Sequence, residues 1–222
     1  MINITIDGPA GAGKSTVAKM IASKYSIVYL DTGAMYRGAA YYVLNKGIEV
    51  DDVASVLGVL SSLVMNIEYV AGAQRVIVCG RDITPFIREH NISMAASTVS
   101  KIPEVRIKLV DLQRAIASKS HCVLDGRDIG TFVLPNASFK FFLTASLEER
   151  ARRRFVELTD KKIVTDFDNV LKDMSARDYQ DSNRSFAPLV AAKDAIIIDS
   201  TALSPGEVVT IIAGVVDAAF NT

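Results

Sequence analysis

Eight residues near the start of the chain, Gly8-Pro9-Ala10-Gly11-Ala12-Gly13-Lys14-Ser15, fit the spacing G-x-x-x-x-G-K-[ST], with Thr16 following. Such a loop constrains the fold strongly, because it works only between a strand and a helix. The glycines let the backbone curl until successive N–H groups point inward at an anion. The positive N-terminal end of the next helix adds to that field. Lys14 is placed to reach outer phosphates, and the Ser15 hydroxyl to hold Mg²⁺. The flanks agree. Ile2-Asn3-Ile4-Thr5-Ile6-Asp7 alternates like a strand, and residues 16–24 read as a helix with Val17, Met20 and Ile21 on one face. A glycine-rich turn with a surface lysine would not explain why the lysine stands where the helix begins. Gly8 to Thr16 are therefore the candidate ATP-binding residues.

The remaining pattern alternates strands and helices. Short apolar runs at 27–30, 121–124, 140–143 and 195–198 read as strands, and 33–44, 51–63, 103–118, 147–156, 166–182 and 205–219 as helices. Asp51 or Asp52 caps the second of these helices. The 103–118 helix is expected to bury Val105, Leu109, Leu112 and Ile116. The expected fold class is α/β: a five-stranded parallel sheet with helices on both faces. Between 64 and 100 the texture changes. Residues 64–70 and 74–79 look like a hairpin turned at Ala71-Gly72-Ala73. We expect one domain over 1–222, with a core of 1–63 and 101–222, an inserted antiparallel lobe at 64–100, and a mobile lid at about 154–166. Ligands should gather at the carboxyl ends of the strands.

Charge and cysteine usage narrow the partners. The 222 residues carry 25 basic and 25 acidic side chains. That balance argues against a general DNA or RNA binder, so any anion site must come from local clustering. No apolar run reaches the roughly 18 residues of a membrane span. Cys79 and Cys122 lack metal-type spacing and read as buried free thiols of a reducing, cytoplasmic compartment.

Three clusters accompany the loop. Asp31-Thr32-Gly33-Ala34-Met35-Tyr36-Arg37 follows the second strand. It reads either as an anion site between Thr32 and Arg37 or as an N-capped helix with a surface arginine. Asp125-Gly126-Arg127-Asp128 forms a charged turn after a central strand. Arg177, Asp181 and Arg184 share one helical face, either as a surface ion-pair ladder or as a stripe with two arginines for phosphates and a carboxylate for a sugar. Arg150, Arg153 and Arg154 precede the proposed lid, as a solvated face or as phosphate contacts. So many cations exceed what hydrolysis of one triphosphate needs, and they suit a bridge between a triphosphate donor and a phosphorylated acceptor. An ionised phosphate acceptor needs no strong base, which leaves His90 and His121 without a role.

On these motifs, together with Ala95-Ala96-Ser97-Thr98-Val99-Ser100, Pro103-Glu104-Val105-Arg106 and Arg177-Asp178-Tyr179-Gln180-Asp181-Ser182-Asn183-Arg184, the chain resembles the bacterial cytidylate kinases over nearly its whole length. The resemblance implies transfer of the ATP γ-phosphate to CMP or dCMP with Mg²⁺, by a monomer that takes small nucleotides. It implies CMP contacts from Thr32, Arg37, Ser97, Arg106, Arg127, Asp128, Arg177, Asp181 and Arg184. Of these, Ser97, Arg106 and Asp128 read the cytosine edge, and Asp181 and Arg184 the sugar. Lys14, Arg127 and Arg177 would be catalytic, and Arg150, Arg153 and Arg154 would serve the lid. Uracil presents an acceptor where cytosine donates, so it would leave Asp128 facing a lone pair at a cost of roughly 1–3 kcal/mol. Ala12 stands where many members carry Ser. The backbone does the work at that position, so little loss is expected.

Overall fold

The computed structural model describes residues 1–220. Its backbone forms two compact units, Met1–Tyr29 with Ser120–Thr222, and Leu30–Lys119. The segment expected to be antiparallel, 64–100, falls inside the second.

The parallel sheet has five strands: β1 (Asn3–Asp7), β2 (Val28–Asp31), β6 (Cys122–Gly126), β7 (Phe139–Thr144) and β8 (Ile196–Asp199). Their order is β2-β6-β1-β7-β8. The β1 strand lies between β6 and β7 in parallel register, with Asp7 opposite Gly126 on one side and Phe142 on the other. The strand is buried on both faces: Ile4 and Ile6 are wholly inaccessible, and Thr5 and Asp7 are buried with them. Helix α1 (Lys14–Tyr25) packs there through Val17, Ala18, Ile21 and Ala22, and helix α8 (Pro205–Phe220) joins through Val208, Ile212 and Val216. Full burial of one such isoleucine contributes roughly 1.5–3 kcal/mol. Met20, expected on the buried face, is 39% exposed. The helix starts at Lys14, and the buried positions Lys14, Val17, Ala18, Ile21 and Ala22 leave Met20 on the outer side.

Helix α6 (Leu147–Asp160), capped by Ser146, packs against α7 (Phe167–Asn183), capped by Asp166. They share Ala151, Leu158, Val170 and Met174, with Phe155 edge-on to Phe167. The stretch 154–166 is helical as far as Asp160, and only a short connection through Lys162, at φ 58°, leads to α7.

In the second unit, α2 (Thr32–Asn45) and α3 (Val53–Leu60) precede three antiparallel strands, β3 (Met65–Val70), β4 (Ala73–Val78) and β5 (Arg81–Asp82). The β3–β4 turn is Ala71-Gly72, both at positive φ (49° and 76°), and Ala73 already pairs with Val70. Two residues of that hand match the twist of a tight hairpin. Gly38 of α2 lies against this sheet: a Cβ there would come within 2.9 Å of Met65 and 3.0 Å of Val76. Helix α4 (His90–Val99) has no counterpart in the sequence reading, because its Asn, Ser, Thr and Val residues have weak helix propensity. It is held by tertiary packing of Ala95, Ala96 and Val99 against Ala40. Helix α5 (Pro103–Ala117) buries Val105, Arg106, Leu109, Val110, Gln113 and Ala117, while Leu112 and Ile116 lie at its margin. The buried face is thus turned from the expected one toward Arg106 and Gln113. Cys122 is buried as expected but Cys79 is exposed, at positive φ just after β4.

Candidate active site

The loop between β1 and α1 is shaped by two glycines. Gly8 sits at φ 144°, and a Cβ on it would lie 1.9 Å from the Leu143 carbonyl oxygen of β7, so no other residue fits without moving the sheet. Gly13 at φ 89° provides the left-handed step before α1. Lys14 Nζ donates back across the loop to the Pro9 carbonyl at 2.6 Å. Burial, then the positive field of Arg127 and, less strongly, of Arg177, push its pKa well below the usual lysine range, against the opposing pull of Asp125 and Asp7. An anionic ligand beside Lys14 would reverse that penalty.

Asp125, at the end of β6, accepts from Ser15 Oγ at 2.7 Å and from Tyr29 Oη at 2.9 Å. In the sequence Asp125 is one residue of a charged turn, with no role of its own. An apolar run, Cys122-Val123-Leu124, ending in Asp at a strand's carboxyl end is the signal that marks it.

The arginines of α6 divide. Arg150 is buried and donates to the backbone carbonyls of Ala145 (2.8 Å) and Ala10 (3.1 Å) and to the Asp178 carboxylate. It therefore ties the phosphate loop to α7. Arg153 donates to Glu149 (2.8 Å) and to the Ser200 carbonyl (2.6 Å), and its Nη1 lies 3.9 Å from the position a Gly13 Cβ would take. Arg154 pairs with Glu157 at 2.8 Å. A cavity of about 590 Å³ opens over the loop, lined by residues 11–17, Arg152, Arg153, Arg154 and the segment around Ser200 to Val208. Arg152, which the sequence reading passed over, lines it and pairs with Glu149 at 2.7 Å. Hydrogen bonds from Arg152 and then Arg153 hold the Glu149 carboxyl down at about 2.

Within the same unit, Arg127, Asp128, Asp181 and Arg184 form one largely buried network. Arg127 Nε donates to Asp181 Oδ2 at 2.8 Å. Arg184 approaches Asp128 at 3.3 Å and Asp181 at 3.7 Å, and donates to the Ala187 carbonyl at 2.6 Å. Burial opposes the charge on Asp181, but Arg127, then Arg177 and Arg184, outweigh it and hold its pKa below the ordinary value. Arg127 is shifted up: burial works against its charge, and Asp181 more than compensates. So the three do not form a simple surface ladder: Asp181 is buried and Arg184, just past α7, is partly buried, both turned to Arg127 and Asp128, while Arg177 on the same helix stays exposed.

In the second unit, Asp31 caps α2 by accepting from Ala34 N at 2.8 Å, while its other oxygen takes Arg37 Nη2 at 3.0 Å. The capped-helix reading of this motif is therefore present. Arg37, however, folds over the helix start, partly buried, rather than lying on the surface. Thr32 is buried at the same helix start. Arg106 is 1% exposed, with its guanidinium 5.2 Å from the centre of the Tyr36 ring and Nη1 donating to the Ser100 carbonyl at 3.1 Å. Ser97 is half-buried on α4.

The chain as a whole has counterparts among known proteins. A family profile described as "Cytidylate kinase" matches residues 4–218. A cytidylate kinase of Caldicellulosiruptor saccharolyticus is 51% identical over 207 residues, covering 93% of this chain and 92% of its own. One from Halalkalibacterium halodurans is 49% identical over 215 residues, covering 97% of each. Among solved structures, an uncharacterized protein from Eubacterium ventriosum superposes with a TM-score of 0.53 at 16% identity over 98% of both chains, a likeness of fold alone. With the profile spanning almost the entire chain and half of all residues shared with such relatives, the chain belongs to the cytidylate kinase family.

Proposed function

We propose that this protein transfers the γ-phosphoryl group of ATP to CMP or dCMP, giving ADP and CDP or dCDP. The observation that carries the reading is the network of Arg127, Asp128, Asp181 and Arg184, built in the same unit as the phosphate loop, with Arg127 and Arg177 acting on Lys14. A protein that only held or hydrolysed a triphosphate would not need such a network. Phosphoryl transfer is a matter of position and charge, and the parts present are positioning cations. Lys14, Arg127 and Arg177 neutralise the transferring group. Gly8 to Thr16 hold the ATP phosphates. Thr32 and Arg37 serve the acceptor, with Arg37 on its phosphate. Ser97, Arg106 and Asp128 read the cytosine edge, and Asp181 and Arg184 take the sugar. Arg153 and Arg154, lining the donor cavity, close over the polyphosphate.

Ser15 Oγ and Asp125 fit Mg²⁺: both are oxygen donors, 2.7 Å apart at the end of the phosphate loop. Among the described residues no group of three or more His, Cys, Asp and Glu converges as a metal cage. That is compatible with an ion held by one or two protein oxygens plus phosphates. When bound there, Mg²⁺ supplies neutralisation of the phosphate oxygens.

Among the described residues no helix is long and apolar enough to cross a membrane. The charge balance supports small nucleotides rather than DNA or RNA as partners. The reading extends to a monomer working in the cytoplasm as part of pyrimidine nucleotide metabolism. A coupled ADP-release assay with CMP, dCMP, UMP and AMP tests it. CMP or dCMP should be used in clear preference, and equal rates with AMP or UMP would refute the base assignment. Lys14→Ala should cut kcat by roughly 10²-fold or more.

A further inference from the structure

Asp7 is the last residue of β1, next to Gly8 of the phosphate loop, and only 4% exposed. A charge so deep needs partners, and its two oxygens accept from two backbone groups far along the chain. The Ile129 N–H reaches Oδ1 at 2.8 Å and the Gly130 N–H reaches Oδ2 at 2.7 Å. These are the first free amides of a five-residue π-helical turn, Ile129–Val133, whose preceding residue is Asp128. The turn has no local side-chain cap, and Asp7 performs that task from another strand. Asp128, for its part, uses its backbone carbonyl to accept from Phe132 (2.9 Å) and Val133 (3.1 Å), so its backbone moves with the turn. Gly130 is shaped to the carboxylate. A Cβ there would meet Thr5 Oγ1 at 3.0 Å, Lys140 Cδ at 3.2 Å and Asp7 Oδ2 at 3.3 Å. Short π-helical turns of this kind are concentrated at functional sites, where they re-aim side chains.

We infer that Asp7 is a positioning residue for acceptor recognition: by gripping the Ile129 and Gly130 amides it fixes the turn that presents Arg127 and Asp128, and so ties the base of the phosphate loop to the acceptor-reading segment. This rests on the acceptor roles proposed above for Arg127 and Asp128. Both hydrogen bonds of the Asp7 carboxylate go to the turn, and its charge is the smallest of the influences named above on Lys14, so its main effect is on aim; Gly130→Ala, which leaves that charge in place, isolates it.

Two substitutions approach the contact from opposite sides. Asp7→Asn keeps the size but can accept only through one oxygen, and Gly130→Ala leaves the carboxylate and its charge while pushing the turn off it. Losing one hydrogen bond to a charged group corresponds to about tenfold in affinity. Both variants should therefore raise KM for CMP by about tenfold and lower the CMP-to-UMP ratio of kcat/KM, with KM for ATP changing less than about threefold. Because both act on one contact, the double variant should lose clearly less than the product of the two. Folding is checked by near-ultraviolet circular dichroism. Folded variants with wild-type KM for CMP and wild-type base discrimination would overturn the inference. So would parallel rises in both KM values, and so would failure of both variants to fold, which would make Asp7 a folding residue. A wild-type protein inactive on CMP would refute the proposed function as well; an active wild type with unaffected variants would refute this inference alone.

Discussion

Arg150→Met separates a structural cation from a substrate-binding one. In sequence, Arg150, Arg153 and Arg154 form one basic cluster ahead of a lid. In the structure the Arg150 guanidinium is spent on Ala10 O, Ala145 O and Asp178, and its side chain is 8% exposed. Methionine retains most of the aliphatic length but no donor. Two carbonyl groups lose a partner, and Asp178, 20% exposed, is left beside an apolar group. Breaking a buried ion pair by removing one partner costs about 3–5 kcal/mol. For a chain of this size each kcal/mol moves Tm by about 2–4 °C, so the variant should melt roughly 6–20 °C lower without any nucleotide. Arg153→Met is the control. Arg153 is half-buried and faces the donor cavity, so its loss should cost little in Tm but raise KM for ATP. The assay is thermal unfolding of the ligand-free variants followed by steady-state kinetics. Arg150→Met with a wild-type Tm and a tenfold higher KM for ATP would refute the clamp and restore the phosphate contact.

Three further outcomes follow from the same geometry. Burial raises the Asp7 carboxyl from 3.8 to about 6, so between those values the native state binds more protons than the unfolded one. Its contribution is whole below pH 3.8 and is lost as pH rises through 6, by roughly 3 kcal/mol. Urea titrations should show wild type losing ground to Asp7→Asn across that window, and a difference constant with pH would contradict the shift. Asp125→Asn weakens the oxygen pair with Ser15, so it should raise the Mg²⁺ concentration needed for half-maximal rate several-fold; an unchanged Mg²⁺ requirement would remove Asp125 from the ion's site. Finally, iodoacetamide should label the exposed Cys79 in the native protein and spare Cys122, whose thiol burial pushes up to about 12. Equal labelling by mass spectrometry would count against the packing around β6.

What the sequence disclosed was whatever depends on local order. The strands of the parallel sheet, the β3–β4 hairpin, the phosphate loop and α1, α2, α5, α7 and α8 follow from periodicity and caps read within a dozen residues. Features decided by distant partners were not legible. Helix α4 depends on Ala40 to support residues of poor helix propensity. Arg150 differs from Arg153 only in which neighbours the packing of α6 on α7 brings to it, and no local signal distinguishes them. The Asp181 face looks like a ladder of solvent ion pairs until Arg127 and Asp128 arrive from the β6 end.

The same contrast bears on what the site needs. Lys14, the most recognisable residue in the chain, donates to the Pro9 carbonyl and is disfavoured as a cation by burial and then by Arg127 and Arg177. An arriving phosphate therefore favours its cationic form. The two arginines stand outside the loop's motif, on the turn after β6 and on α7. They surround the loop's lysine with like charge, a mutual repulsion that a bound phosphate relieves, so an anion gains more here than it would from the loop alone.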